Sequence, residues 1–348
     1  MGISWGSDDR TGRPDADGPF HLLDPLVGYS RARLHRNHLT PTPTPWDTCP
    51  VQRDEFLERL ASLRMAPRGG GERYPHKPLL LLWLLGRMQQ HGTSACSYEE
   101  AERPVSRLLD DFGPPSKQRY RAAMPFVHLE SDLWDLSGEE GQPLKDTRAS
   151  LCKAHAKGRL RPEVEELLRK DPALIAESAR LLIDLNFTPT YLDPICAEVG
   201  LDLDVAEQAA WRPGKLSRPR RRPGFRSEVL HGWRNRCAMC GYDGALGRDP
   251  AGLDAAHVFW HSQGGPDDAD NGLALCSLHH VLFDLGALGL NVDLSVRVSP
   301  LYVARSELGE RLVYHLEGRS LLDPAPRHPS PGEHHVEWHS RQVFKDSA

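Results

Sequence analysis

The sequence predicts an α+β chain in two parts, a mainly helical N-terminal domain and a smaller C-terminal domain of short strands and one helix built around metal ligands. Three observations carry that prediction. Apolar residues recur with helical spacing through most of residues 51–186. A basic, proline-rich run, Arg212 to Arg226, separates the two parts. Beyond it, Cys237, Cys240, His257, Asn271, Cys276, His279 and His280 crowd into residues 237–280.

Residues 1–48 carry Pro, Gly and Asp with little periodicity, including PTPTP at Pro41 to Pro45, and are expected to be irregular apart from a short piece around Phe20 to Val27. The N-terminal domain is drawn at 49–211. Phe56, Leu60 and Leu63 give Val51 to Met65 helical spacing, and RGGG at Arg68 to Gly71 is a turn. KPLLLLWLLGRMQQ, following His76, is a second helix with Pro78 in its first turn, and its run Leu79 to Leu85 is core. Ser97 and Glu100 form a capping box that opens a third helix, to Phe112. After Gly113-Pro114-Pro115, PFVHL and LWDL read as two strands of a hairpin. Helices resume at Leu144 to Ala156, Pro162 to Lys170 and Pro172 to Asn186, the last with Asp171 as N-cap. Three helices and then a hairpin outline a winged helix, a DNA-reading scaffold.

The linker is drawn at 212–223 and the C-terminal domain at 224–348. GLDAAHVFW (Gly252 to Trp260) is apolar enough for a strand and places His257 near its end. HSQGGPDDAD (His261 to Asp270) is a turn region, and SLHHVLFDLG (Ser277 to Gly286) is a short helix stopped by glycine. Cys237, Cys240, Cys276 and His279 have the types and spacing of a closed Cys₃His zinc site. Cys276 and His279, three apart, share a helix face, while His280 is turned by about 100° from His279. One helix is thus gripped by zinc on one side and presents a second ligand on the other. LVYHLEGRSLL and HHVEWHSRQVF are expected to supply further strands.

Taken together, FRSEVLHGWRNRCAMCGYD, GLDAAHVFWHSQGGPDDADNGLALC and SLHHVLFD resemble an HNH endonuclease of the zinc-bearing ββα-metal type, over roughly Gly224 to Leu301. The resemblance implies that His257 is the general base that activates a water, that His280 binds a catalytic divalent metal such as Mg²⁺ or Mn²⁺, and that Asn271 holds the His257 loop. Phosphodiester hydrolysis needs a proton acceptor with a pKa near neutrality and a cation to stabilise phosphate charge, and these groups are of the right kind. Many such enzymes carry an acidic metal ligand just before the catalytic histidine, where this chain has Ala256. Asp254, His261 or a water would complete the shell instead, with Asp254 ranked first. Asp284, one turn beyond His280, is an alternative partner that fixes the ligand's tautomer.

Net charge is −5, yet Arg212 to Arg226 holds seven basic residues and no acidic one, a run that suits a phosphate backbone. Seven cysteines is an odd number, and three are expected on zinc. Cys49, Cys96, Cys152 and Cys196 are scattered, as thiols in a reducing cytoplasm are. The N-terminus MGISWGSDDR is not a secretory signal, and the longest apolar run, Leu79 to Leu85, is far short of a membrane span.

RYPHKPLLLLWLLGRM, SYEEAERPVSRLLDDFGPP, MPFVHLESDLWDL and RPEVEELLRKDPALIAESARLLIDLNF resemble, in that order, the sulfur-binding domain of actinobacterial McrA-type, type IV restriction endonucleases, over about Val51 to Ala197. That family recognises double-stranded phosphorothioate DNA and joins the module to a C-terminal HNH domain. The resemblance implies that Met124, Pro125 and His128 surround an apolar cup for sulfur, and that His76, Lys77, Arg119 and Arg121 contact phosphate and base edges. Sulfur is larger and less well hydrated than oxygen, so an apolar cup favours it. Methylated cytosine as the mark, or a zinc-stabilised DNA-binding protein without cleavage, are the competing readings. Cutting both strands with one such site needs a homodimer or two sequential events.

Overall fold

The run Leu79 to Leu85 is buried throughout, and the N-terminal half is built around the helix that carries it. The computed structural model describes residues 52–346 other than 66, 69–71, 140–143 and 203–221, all within one compact unit, Pro43–Ala348. The expected irregular extension, most of the RGGG turn, and the linker apart from residues 222 and 223 lie outside the described residues.

The described chain opens with α1 (Arg53–Ala61), the ribbon of β1 (Pro67–Arg68) and β2 (Glu72–Arg73), and α2 (His76–His91). Next come β3 (Cys96–Ser97), α3 (Tyr98–Phe112), α4 (Ala123–His128), β4 (Trp134–Ser137), α5 (Arg148–Lys153) and β5 (Lys157–Leu160). Helices α6 (Pro162–Lys170), α7 (Ala173–Asn186) and α8 (Leu192–Val199) complete the half. The α3 capping box forms as expected: the Ser97 hydroxyl accepts from the Glu100 amide, and the Ser97 amide donates to Glu100 Oε2 at 2.6 Å.

The hairpin differs from the expectation. PFVH is the helix α4, since Pro125 sits in a first turn that needs no donor there. Phe126 is fully buried, edge-on to Tyr98 and Trp134, and its carbonyl accepts from Trp134 Nε1 at 3.0 Å. The strand that does form, β4, pairs antiparallel with β5, and β3 adds on the far side of β5, giving the order β3-β5-β4. Gly158 is what lets Trp134 lie on β5, because a Cβ there would fall 1.9 Å from the indole. Asp171 is not the N-cap of α7: that position is Pro172, and the Asp171 carboxylate is bound by Arg53.

The second half contains α9 (Phe225–Gly232), the ribbon of β6 (Ala245–Leu246) and β7 (Asp249–Pro250), and the hairpin of β8 (Leu253–His257) and β9 (Gly272–Cys276). It continues with α10 (Ser277–Asp284), the pair β10 (Leu288–Leu290) and β11 (Val296–Val298), α11 (Glu307–Val313) and α12 (Glu333–Gln342). Of the tail segments expected as strands, LVYHLEGRSLL covers the end of α11, a 3₁₀ turn (Tyr314–Leu316) and a single antiparallel bridge from Ser320 to Ser295, while HHVEWHSRQVF is the helix α12. In HHVEWHSRQ the buried positions are His335, Val336, Trp338, His339 and Gln342, which is helical spacing with histidines on the inner face. Trp338 stacks on Phe259 at 4.4 Å and His339 on Phe283 at 3.8 Å.

Two cores result. One gathers Leu253, Leu273, Phe283 and Val336 with α9. The other belongs to the N-terminal half but also takes in Phe259, Trp260, Trp338 and Val343, so the halves share apolar surface. Lys345 Nζ reaches the Gly113 carbonyl at 2.9 Å across the same junction.

Burial lowers the His339 pKa from 6.5 to about 3. This imidazole folds neutral, so the unfolded chain binds the extra proton, and stability falls as pH drops below 6.5 and levels off below about 3. Going from pH 7.5 to 5 should cost about 2 kcal/mol through this group. Denaturant melts across that range should show the loss, and His339→Gln should remove it. An unchanged slope in the variant would reject the assignment.

Candidate functional site

Strands β8 and β9 lie in register from Leu253↔Cys276 to His257↔Gly272, which places the two ends of the site at the two ends of one hairpin. At the Cys276 end, β9 runs directly into α10. Cys276 is the N-cap of that helix and His279 lies in its first turn. The CxxC turn faces them: the Cys237 amide donates to the Tyr242 carbonyl at 2.7 Å, and Gly241, at φ 81°, closes the turn onto the Cys237 carbonyl.

Cys237, Cys240, Cys276 and His279 bring their ligand atoms within 4.8 Å of one another. His279 Nδ1 lies 3.6 Å from Cys237 Sγ and 3.3 Å from Cys276 Sγ, while its Nε2 donates to the Leu312 carbonyl at 3.0 Å. That donation fixes the tautomer and aims the lone pair of Nδ1 at the sulfurs. Burial opposes a charge on His279, but hydrogen bonds to Cys237 and Cys276 raise its pKa to about 10. Hydrogen bonds from Cys240 and then Cys276 hold the Cys237 thiol far below its ordinary range. A buried thiolate set beside an oriented imidazole fits a bound metal ion, which would replace the imidazolium proton.

At the other end, His257 is 6% exposed and stacks on Phe225 of α9 with centroids 4.4 Å apart. Its Nε2 lies 2.7 Å from Asp267 Oδ1. Burial raises the pKa of Asp267, but hydrogen bonds from the Arg222 amide and from His257 outweigh it and keep the carboxylate ionised. His261 Nδ1 lies 3.5 Å from the same oxygen. Asn271 is fully buried: its Oδ1 accepts from the Phe259 amide at 2.7 Å, and its Nδ2 donates to the Phe259 and Pro266 carbonyls at 2.9 and 2.8 Å. Both edges of the turn that follows β8 are thereby pinned to Asn271, the residue before β9.

His280 has a different set of neighbours. Its Nδ1 lies 3.9 Å from Asp254 Oδ2 and its Nε2 lies 3.6 Å from Asp284 Oδ2. Asp254 and His257 are three apart on β8 and so point to opposite faces, and Asp254 Oδ1 also lies 3.9 Å from Arg226 Nε of α9. Ala256 is completely buried. The separation of His280 Nδ1 from Asp254 is too long for a hydrogen bond. Sequence reasoning missed Asp267, one acid among several in GGPDDAD with no spacing to single it out.

In the N-terminal half, His76 starts α2, is 8% exposed, and has its pKa lowered to about 4 by burial and then by Arg121. Lys77 Nζ is paired with Glu130 Oε1 at 2.7 Å. Arg121 is 5% exposed and holds the Leu109 and Pro114 carbonyls at 2.6 and 2.9 Å, so its guanidinium braces the preceding loop. Arg119 is exposed, Met124 is half-buried, Pro125 is buried, and exposed His128 meets Asp146 at 3.1 Å. Met124 and Pro125 sit in the first turn of α4 instead of a hairpin turn. Tyr120, unremarked in the sequence, is exposed beside them at φ 58°, with the Arg148 guanidinium 4.9 Å above its ring.

Residues 53–204 match the family described as ScoMcrA-like, DNA sulfur-binding domain, and residues 237–291 match the HNH endonuclease family. Among solved structures the chain is similar to the sulfur-binding domain of SprMcrA complexed with phosphorothioated DNA, at 22% identity over 44% of this chain and 97% of that one, with a TM-score of 0.38. It is similar to the modification-dependent TagI restriction endonuclease at 28% identity, over 35% of this chain and 38% of that one, with a TM-score of 0.28. It also aligns with the type IV phosphorothioation-dependent restriction endonuclease ScoMcrA at 14% identity, over 76% of this chain and 98% of that one, with a TM-score of 0.34. No curated protein matches.

Proposed function

We propose that this chain, a member of the McrA-type restriction endonucleases with a DNA sulfur-binding domain ahead of an HNH nuclease domain, binds phosphorothioate-modified DNA and hydrolyses a phosphodiester bond nearby. The observation that carries the reading is the presence in one chain of the sulfur-binding match at 53–204 and the His257, Asn271, His280 arrangement on a hairpin and helix within 237–291.

In the cleavage step His257 acts as general base. Ionised Asp267 takes the proton side of the ring at Nε2, which puts the lone pair on Nδ1, where it accepts the proton of the attacking water. Asn271 keeps the turn after β8 closed, and Phe225 holds the ring plane. His280 with Asp254 would hold a divalent ion such as Mg²⁺ or Mn²⁺, which supplies charge stabilisation at the phosphate. Cys237, Cys240, Cys276 and His279 hold a structural Zn²⁺. One such motif per chain means that cutting both strands takes two copies or two events.

The order α2, β3, α3, α4, β4, α5, β5 with sheet order β3-β5-β4 supports a winged-helix reading of the recognition half, with α5 inserted between the two wing strands and α4 standing where the DNA-facing helix would lie. Met124 and Pro125 on that helix offer sulfur an apolar wall, and His76, neutral near pH 7, contributes no charge there. Exposed Arg119 and His128 would meet phosphate, and Lys77 would reach it by exchanging Glu130 for DNA. No described helix is long and apolar enough to cross a membrane, and the reading places the enzyme in the cytoplasm with the DNA it cuts.

The test is a pair of matched duplexes that differ by one sulfur, incubated with the protein and Mn²⁺. The modified duplex should be bound more tightly and cut selectively. Equal cutting of both would overturn the reading.

A further inference from the structure

The carboxylate beside the proposed metal ligand is held by the other half of the molecule. Asp284, the last residue of α10, is 2% exposed. Its Oδ2 accepts a hydrogen bond from the Thr190 hydroxyl at 2.7 Å, and the same oxygen lies 3.6 Å from His280 Nε2. One residue on, the Tyr191 hydroxyl donates to the Asp284 backbone carbonyl at 3.1 Å. Thr190 and Tyr191 belong to a 3₁₀ turn, Pro189–Tyr191, between α7 and α8, inside the sulfur-binding match. Tyr191 is buried against Trp260, whose ring is 5.4 Å away, so the turn is seated in the junction and does not merely touch it.

We propose that Thr190 is a positioning residue for the nuclease reaction: through Asp284 it sets the ring of His280, so that the HNH site is completed by a side chain of the sulfur-binding domain. The inference rests on the HNH reading of His280 given above. A buried carboxylate needs donors, and a hydroxyl satisfies it without neutralising its charge. With Oδ2 fixed, the negative charge stays on the Nε2 side of the imidazole. Nε2 keeps its proton, and Nδ1 presents its lone pair toward Asp254. Without the hydroxyl, Asp284 loses the hydrogen bond that fixes Oδ2, and the tautomer of His280 is less firmly imposed. The Tyr191 bond holds only backbone, so it seats α10 and does not orient the carboxylate.

The experiment compares the full chain with Thr190→Val, which keeps shape and loses the donor, and with Thr190→Ser, which keeps the donor. Mn²⁺ binding is measured by calorimetry on zinc-loaded protein, alongside single-turnover cleavage of the modified duplex, affinity for that duplex, and zinc content. Thr190→Val should weaken Mn²⁺ binding and slow cleavage by about 10-fold, with zinc content and DNA affinity unchanged, and Thr190→Ser should restore both. Wild-type Mn²⁺ affinity in Thr190→Val overturns the proposal. Equal loss in the valine and serine variants, with a lower Tm, also overturns it in favour of plain packing. If the wild-type protein binds Mn²⁺ yet cuts neither duplex, the nuclease reading fails while the calorimetric comparison still decides the role of Thr190.

Discussion

Replacing His257 with alanine is expected to lower single-turnover cleavage of modified DNA by about 10²–10⁴-fold, the contribution of a positioned general base. Affinity for the modified duplex should be unchanged, because His257 lies on β8 and the proposed recognition residues lie on α2, on α4 and in the loop before α4. Zinc content should also be unchanged, since the ring faces Phe225 and Asp267 and not the cysteine cluster. The prediction has an internal control in Asp267→Asn. That change keeps an acceptor oxygen near Nε2 but removes the negative charge that favours the Nε2–H tautomer, so its loss should fall between wild type and His257→Ala. Cleavage by His257→Ala at the wild-type rate would remove this histidine from the mechanism.

What was legible in the sequence follows from the range of the interactions. The Ser97–Glu100 box and the Cys276/His279 pair are set by spacings of three on a helix, and both formed as read. The CxxC turn is equally local, and its partners were identified because four sulfur and imidazole ligands leave few ways to pair. PFVH was misread because a Pro-Phe-Val run is as apolar as a strand, and only the pocket formed by Tyr98 and Trp134 makes it a helix. The partner of β4 was missed because KGRL is short and basic, and its register depends on Gly158 passing under an indole 24 residues away. HHVEWHSRQVF is expected as a strand with its histidines at the surface, whereas His335 and His339 lie on the buried face of α12. Asp267 and Thr190 left no trace in sequence at all. Each acts on a residue 10 or 94 positions away, by a contact that only the tertiary fold creates.

Removing the proposed zinc should have the largest effect on stability. Cys237 and Met239 of the CxxC turn are buried members of the C-terminal core, together with Leu253, Leu275 and Phe283. The segment around them has little regular structure, the ribbon β6–β7 being mostly exposed. Burial alone is a weak restraint on such a loop, and the proposed zinc would tie it to α10. Structural zinc sites in small domains carry about 10–16 kcal/mol of apparent binding free energy, as large as the whole stability of a typical domain at about 5–15 kcal/mol. Chelation, or Cys276→Ser, should therefore unfold the C-terminal half cooperatively instead of loosening it. Metal analysis should find one zinc per chain, and a melt in the presence of a strong chelator should lose the corresponding transition. Acidification should act in the same direction, since protons compete for the thiolates that the ion needs. Cys152→Ser is the control, because that thiol lies on α5, outside the cluster, and should leave the melt nearly unchanged. The N-terminal core draws most of its members from residues 56–201 and should survive, but without the covering that Trp260 and Trp338 provide. The chelated protein should then still prefer the modified duplex, with a lower Tm for the remaining transition and no cleavage. A chelated protein that melts like the untreated one would show that the cysteines and His279 hold the fold without a metal.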